Sequence, residues 1–144
     1  MDLLILHPTA TSQWHALLND AQASSQCFLN EELESYLVFL LMRFNQSPHI
    51  ASSVLALDFL KVSQTPAGKI KRDLLQQVGD QSLLFSGLFP GLAKKKHVSV
   101  DYFIQIGKTA YHTVAEQDAC DLFRALSIHF KSMRRVLSAI QSGH

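Results

Sequence analysis

Apolar residues recur every three or four positions through most of this chain, and no stretch alternates with period two over a useful length. That pattern predicts six helices and no strand. The first starts after Pro8, with Thr9 or Thr11 as its cap and Trp14, Leu17, Leu18 and Ala21 as its stripe. It ends in the polar stretch from Ser24 to Gln26. The second opens at Asn30, whose side chain can accept from a free amide of the first turn. Glu31 and Glu32 follow, where negative charge suits the helix dipole. Leu33, Tyr36, Leu37, Leu40, Leu41 and Phe44 make one stripe, and Val38, Phe39 and Met42 fill the other side. A helix apolar all round is buried on most faces, so this one is expected at the centre.

Two Ser/Thr-Pro pairs punctuate the next stretch. Ser47-Pro48 opens a third helix with Ile50, Val54, Leu55, Leu57, Phe59 and Leu60 inward. Thr65-Pro66 opens a long fourth helix lined by Ile70, Leu74, Leu75, Val78, Phe85 and Phe89. Pro90 and Gly91 break that helix and lead into the longest connection, which carries Lys94, Lys95, Lys96 and His97. Ser99 caps the fifth helix, whose stripe runs Val100, Phe103, Ile104, Gly107, Tyr111 and Val114. The sixth spans about 118–141 on Ala119, Leu122, Leu126, Phe130, Met133, Leu137 and Ile140.

Composition agrees with one core-rich helical domain. The chain has 144 residues, 47% of them apolar and only 17% charged, so much of it must be buried. Cys27 and Cys120 have no partner at metal-ligand spacing and read as reduced small hydrophobes. Asp2 stands where an export signal would be basic, and the longest apolar run, Leu37 to Met42, is far short of a membrane span. A cytoplasmic location without a transmembrane segment is the expectation. Charge is uneven. Residues 1–60 hold one Lys/Arg and six Asp/Glu, whereas residues 61–144 hold twelve and six. Such asymmetry favours head-to-tail or partner contacts.

Chemistry has few carriers here. There is no phosphate-binding Gly loop, no dinucleotide fingerprint, no nucleophile elbow and no His-Glu-x-x-His. His112 and Glu116 sit four apart on one helix face, with Asp118 and Asp121 nearby, but the paired Glu-x-x-His of helical di-metal sites is missing. No cofactor or metal is therefore expected. His15, His49 and His129 each flank an apolar stripe and read as boundary residues. The Lys94, Lys95, Lys96 run could attract phosphate, yet it lacks interleaved aromatics and reads first as a solvated loop.

The fourth and fifth helices break local rules. Gly79 lies mid-helix, at a cost of about 1 kcal/mol against alanine, and shares a face with Ser82 and Ser86. Gly107 lies mid-stripe on the fifth. Close crossing of the two helices at Gly79 and Gly107 is the expected reason. Asp80 falls on an apolar shoulder and needs a partner there. Tyr102, Lys108 and Tyr111 are the available donors, as members of a polar network or of a ligand site.

This region also resembles an uncharacterised bacterial all-helical family. The residues are Val78-Gly79-Asp80 through Phe89-Pro90, then Ser99-Val100-Asp101-Tyr102-Phe103-Ile104 and Gly107 to Tyr111, about a third of the chain. Phe103 stands where that family's pattern has a second tyrosine. The resemblance implies a bacterial source and a joint role for Asp80, Tyr102 and Tyr111; it carries no activity.

The resulting expectation is an all-α, single compact bundle of about six helices, acting as a non-enzymatic interaction or regulatory module with an unknown protein partner, a homodimer among the options. The alternative is a small-ligand-binding or enzymatic bundle with its site between the fourth and fifth helices. A nucleic-acid partner for the basic run is the weaker third.

Overall fold

A computed structural model describes residues 10–46, 62, 64–91 and 99–142. The predicted third helix (47–61) and the Lys94, Lys95, Lys96 run lie outside the described residues. Among those described, six helices and no strand form a compact bundle. They are α1 (Ala10–Ser25), α2 (Glu31–Gln46), α3 (Lys69–Leu88), α4 (Val100–Asp118), α5 (Asp121–Ile128) and α6 (Phe130–Ser142). No described helix is long and apolar enough to cross a membrane.

Local signals account for most boundaries. The Asn30 Oδ1 accepts from the Leu33 amide at 2.9 Å, and the Ser99 hydroxyl accepts from the Tyr102 amide at 3.1 Å. Each satisfies a donor that the first turn leaves free. α4 stops at Ala119, which turns left-handed (φ 50°) and donates its amide to Ala115. Two boundaries differ from expectation. The fourth predicted helix starts at Lys69, three residues past Pro66, because Gly68 takes φ 147° and no side chain caps the turn. The sixth is bent rather than continuous. His129 leaves helical geometry (φ −99°, ψ 18°) between α5 and α6. His129 N–H donates the last bond of α5, to Ala125, and the His129 carbonyl accepts the first bond of α6, from Met133 N–H, so the ladder is interrupted between the two helices.

The core is Leu-rich and contiguous, drawing Leu18, Leu33, Leu37, Leu41, Leu75, Leu83, Leu84, Leu126, Met133 and Leu137 from α1, α2, α3, α5 and α6. α2 buries its main stripe from Leu33 to Leu41, and Val38, but Phe44 is half-buried and Phe39 is 52% exposed. The longest unbroken buried run belongs to α3, from Val78 to Leu88. Its outer end is open, with Ile70 exposed rather than inward.

α3 and α4 run antiparallel with a fixed register. Arg72 meets Asp118, Asp80 meets Tyr111, and Phe85 stacks on Phe103 at 5.8 Å. This register corrects the expected glycine-to-glycine crossing. A methyl carbon at Gly79 would lie 2.5 Å from the Tyr111 ring, and one at Gly107 would meet the Phe130 ring and, at 3.0 Å, Ser82 Cβ. Each glycine therefore cradles an aromatic ring. The small-residue approach of α3 to α4 falls one turn along, at Ser82 and Gly107.

Candidate functional site

Asp80 is 3% exposed in the middle of the α3 buried run. One of its oxygens, Oδ1, accepts two phenol hydroxyls: Tyr36 from α2 at 2.6 Å and Tyr111 from α4 at 2.7 Å. Its other oxygen lies 3.8 Å from the Arg43 guanidinium, which is half exposed at the end of α2. Three helices thus meet on one carboxylate. Behind Tyr36, Gln76 donates to the phenol oxygen at 3.2 Å, and Arg72 donates to Gln76 at 2.7 Å. Arg72 also binds Asp118 at 2.9 Å and covers the Phe123 ring at 5.3 Å. A continuous chain of hydrogen bonds therefore links the surface ion pair Arg72–Asp118 to the buried Asp80.

The rings that deliver these hydroxyls are locked. Tyr36 and Tyr111 meet edge to face at 6.4 Å, and both pack on Phe123. Tyr111 also touches Phe130, and Gly79 leaves the space its ring occupies. Burial raises the Asp80 carboxyl to about 6, against the lowering effect of the two phenols, Arg43 and Arg72. The same burial, with the carboxylate beside them, drives both tyrosine hydroxyls well above their ordinary range. They stay protonated and act as donors.

The centre is nearly full. The cavity beside Asp80, lined also by Leu40, Arg43, Phe44, Gln77 and Gln81, holds about 10 Å³. That is room for one water and not for an organic ligand. Gln81 Oε1, buried here, has no partner among the described residues.

Of the residues expected to join Asp80, the structure brings in Tyr111 alone. Tyr102 is 53% exposed and nine residues, about 13 Å, back along α4 from Tyr111. Lys108 is half-buried on the α5 side of α4, where its carbonyl accepts from Ser127. Tyr36 and Arg43 are the partners that sequence reasoning missed: Tyr36 reads along the chain as one member of the apolar stripe, and Arg43 follows the apolar run that ends at Met42. Their seven-residue spacing puts both on one face of α2, and that is the signal that was there to read.

The remaining candidates disperse. His112 and Glu116 form an exposed pair at 3.6 Å, His15 binds Glu34 at 3.1 Å, and His129 sits at the bend; His49 lies outside the described residues. No group of three His, Cys, Asp or Glu gathers among the described residues to hold a metal. Cys27 and Cys120 are free thiols, each half-buried rather than fully buried.

A second feature lies on the surface. Glu31, Glu32, Ser35, Tyr36 and Phe39 of α2, with Leu122 of α5, line a shallow, open groove. Its lining combines acidic Glu31 and Glu32 with apolar Phe39 and Leu122, and the Arg43 guanidinium lies 5.6 Å over the Phe39 ring. No family model, curated protein or solved structure matches the chain.

Proposed function

We propose that this chain is a cytoplasmic, non-enzymatic interaction module that works through the α2 groove. The observation that carries the reading is the closure of the Asp80 centre. A carboxylate whose oxygen already takes two phenols, beside space for one water, has no reacting position to offer a substrate. Its chemistry is spent on tying α2, α3 and α4 together. The exposed Phe39, beside acidic Glu31 and Glu32, is the kind of apolar centre with a polar rim that a docking surface needs.

The test is affinity purification from the native cell with wild-type, Phe39→Glu and Asp80→Asn chains, each checked for a cooperative melt. Phe39→Glu should still melt cooperatively, with only a small shift from losing the ring's contact with the half-exposed Arg43 guanidinium, and should lose the captured partner. Asp80→Asn should keep the partner. The reading is wrong if capture follows Asp80 and ignores Phe39.

A further inference from the structure

Resting on that reading, we infer that the α2 face around Phe39 takes the same face of a second copy of this chain, with the two α2 helices antiparallel about a two-fold axis.

The face lies on one unbroken helix. α2 runs from Glu31 to Gln46, and Glu32, Ser35, Phe39 and Arg43 follow one another along it at 3-4-4 spacing. At the pitch of an α-helix these four positions fall within about 80° of arc. All four reach solvent: Glu32 and Ser35 are exposed, Phe39 is 52% exposed, and the Arg43 side chain is 42% exposed. The Phe39 value already counts the Arg43 guanidinium that lies 5.6 Å over its ring, so the rest of the ring is open to a neighbour. Arg43 Nη1 stands 3.8 Å from Asp80, and its guanidinium has further N–H groups to offer a second carboxylate. Glu32 makes no ion pair among the described residues.

This face carries its own complement. An acid, Glu32, stands at one end and a base, Arg43, at the other, about 16 Å apart along the helix. Their midpoint falls between Leu37 and Val38, and Phe39 stands about 2 Å along the helix from it. Turning a second α2 end for end about that midpoint sets each Glu32 against the partner's Arg43. The same turn brings the two Phe39 rings together at the centre. Ser35, with its small side chain, leaves room for them in the shallow groove it shares with Leu122. Charge pairs then flank an apolar contact on both sides, giving a dry centre and a polar rim. The apolar contact holds the copies together, and the charges set register and direction.

One axis satisfies every contact. Position 32 meets 43 and position 43 meets 32, which is the self-complementary pattern of a two-fold interface, so assembly closes at two copies. A partner of unrelated sequence would have to supply the same order of acid, aromatic and base at the same spacing; a second copy has it already.

Light scattering after size exclusion, over a range of concentrations at low and high salt, reads the assembly. The wild type should rise from the single-chain 16.1 kDa towards twice that mass, stop there, and shift back towards one chain at high salt. Phe39→Glu should stay at one chain's mass at every concentration. Glu32→Arg sets like charges together at both ends and should need a higher concentration to pair. Both residues are exposed, and each variant is checked for a cooperative melt. Cross-linking reads the register. Arg43→Lys keeps the positive charge, should still pair, and supplies an amine that a carbodiimide joins to a carboxylate in contact with it. Positions 32 and 43 of one chain stand about 16 Å apart, too far for a direct link, so a link between them found by peptide mass spectrometry reports the antiparallel pair. A wild type that stays at one chain's mass, one that grows past two copies, a dimer that survives Phe39→Glu, or an Arg43→Lys dimer without that link overturns the inference. A Phe39-dependent partner of another sequence would then leave the interaction reading standing; loss of that partner too would remove both.

Discussion

Gly79→Ala is the substitution for which local and tertiary effects disagree most clearly. In an isolated helix it would stabilise by about 1 kcal/mol. In this fold the new methyl carbon would stand 2.5 and 2.6 Å from two carbons of the Tyr111 ring, well inside contact distance. The ring is pinned on its other sides by Tyr36, Phe123 and Phe130, so it has little room to retreat. Overpacking of this kind costs about 1–3 kcal/mol. Any retreat also stretches the 2.7 Å bond to Asp80, and a hydrogen bond to a charged group contributes about 1.5–3 kcal/mol. Set against the helix gain, the net expectation is a loss of about 2–5 kcal/mol. Urea denaturation at neutral pH measures it directly. A double-mutant cycle with Tyr111→Ala isolates the cause, since without the ring Gly79→Ala should recover its stabilising sign. If Gly79→Ala stabilises the wild-type background, the ring-cradle account fails.

Three further outcomes follow from the same geometry. The folded chain holds the Asp80 proton up to about pH 6, whereas the unfolded chain releases it near 3.8, so this group's stabilisation is present at low pH and lost as pH rises through about 6. The swing is about 3 kcal/mol at 1.36 kcal/mol per unit. It appears as the difference in unfolding free energy between wild type and Asp80→Asn across pH 4 to 6 (about two units), and a flat difference would count against it. Asp80→Ala leaves two buried phenols without their acceptor and should lower the melting temperature clearly at any pH; an unchanged melt would remove the structural role of Asp80. Ser99→Ala removes the cap on α4 and should cost about 1 kcal/mol in chemical denaturation, with no change in the pH profile.

How far the sequence spoke depended on the kind of signal. Capping residues acted locally, so Asn30 and Ser99 were legible as helix starts and behave as such. Thr65-Pro66 misled by three residues because Gly68, with its positive φ, marks the true start. The apolar stripes found the core but could not tell an inward Phe39 from an outward one, since α2 is apolar on several faces and only its neighbours decide which is covered. Asp80 declared itself as a carboxylate among leucines. Of its partners only Tyr111 was named along the chain, because which hydroxyls reach it depends on the register of α3 against α4 and on the rotation of α2. Tyr102 and Tyr111 look equivalent along the chain, yet nine residues of helix separate them, and only Tyr111 lies across from Asp80. At Gly107 the close neighbours are the Phe130 ring and Ser82 rather than Gly79.

The central claim is that the chain fills the buried polar centre at Asp80 with its own side chains and meets its partner at the surface. Native mass spectrometry of the chain purified from its own cell tests this most directly. The account predicts the bare chain and its protein complexes, with no small molecule retained. A small-molecule adduct on the wild type that disappears in Asp80→Asn would contradict it, and would make the Asp80 centre a ligand site after all.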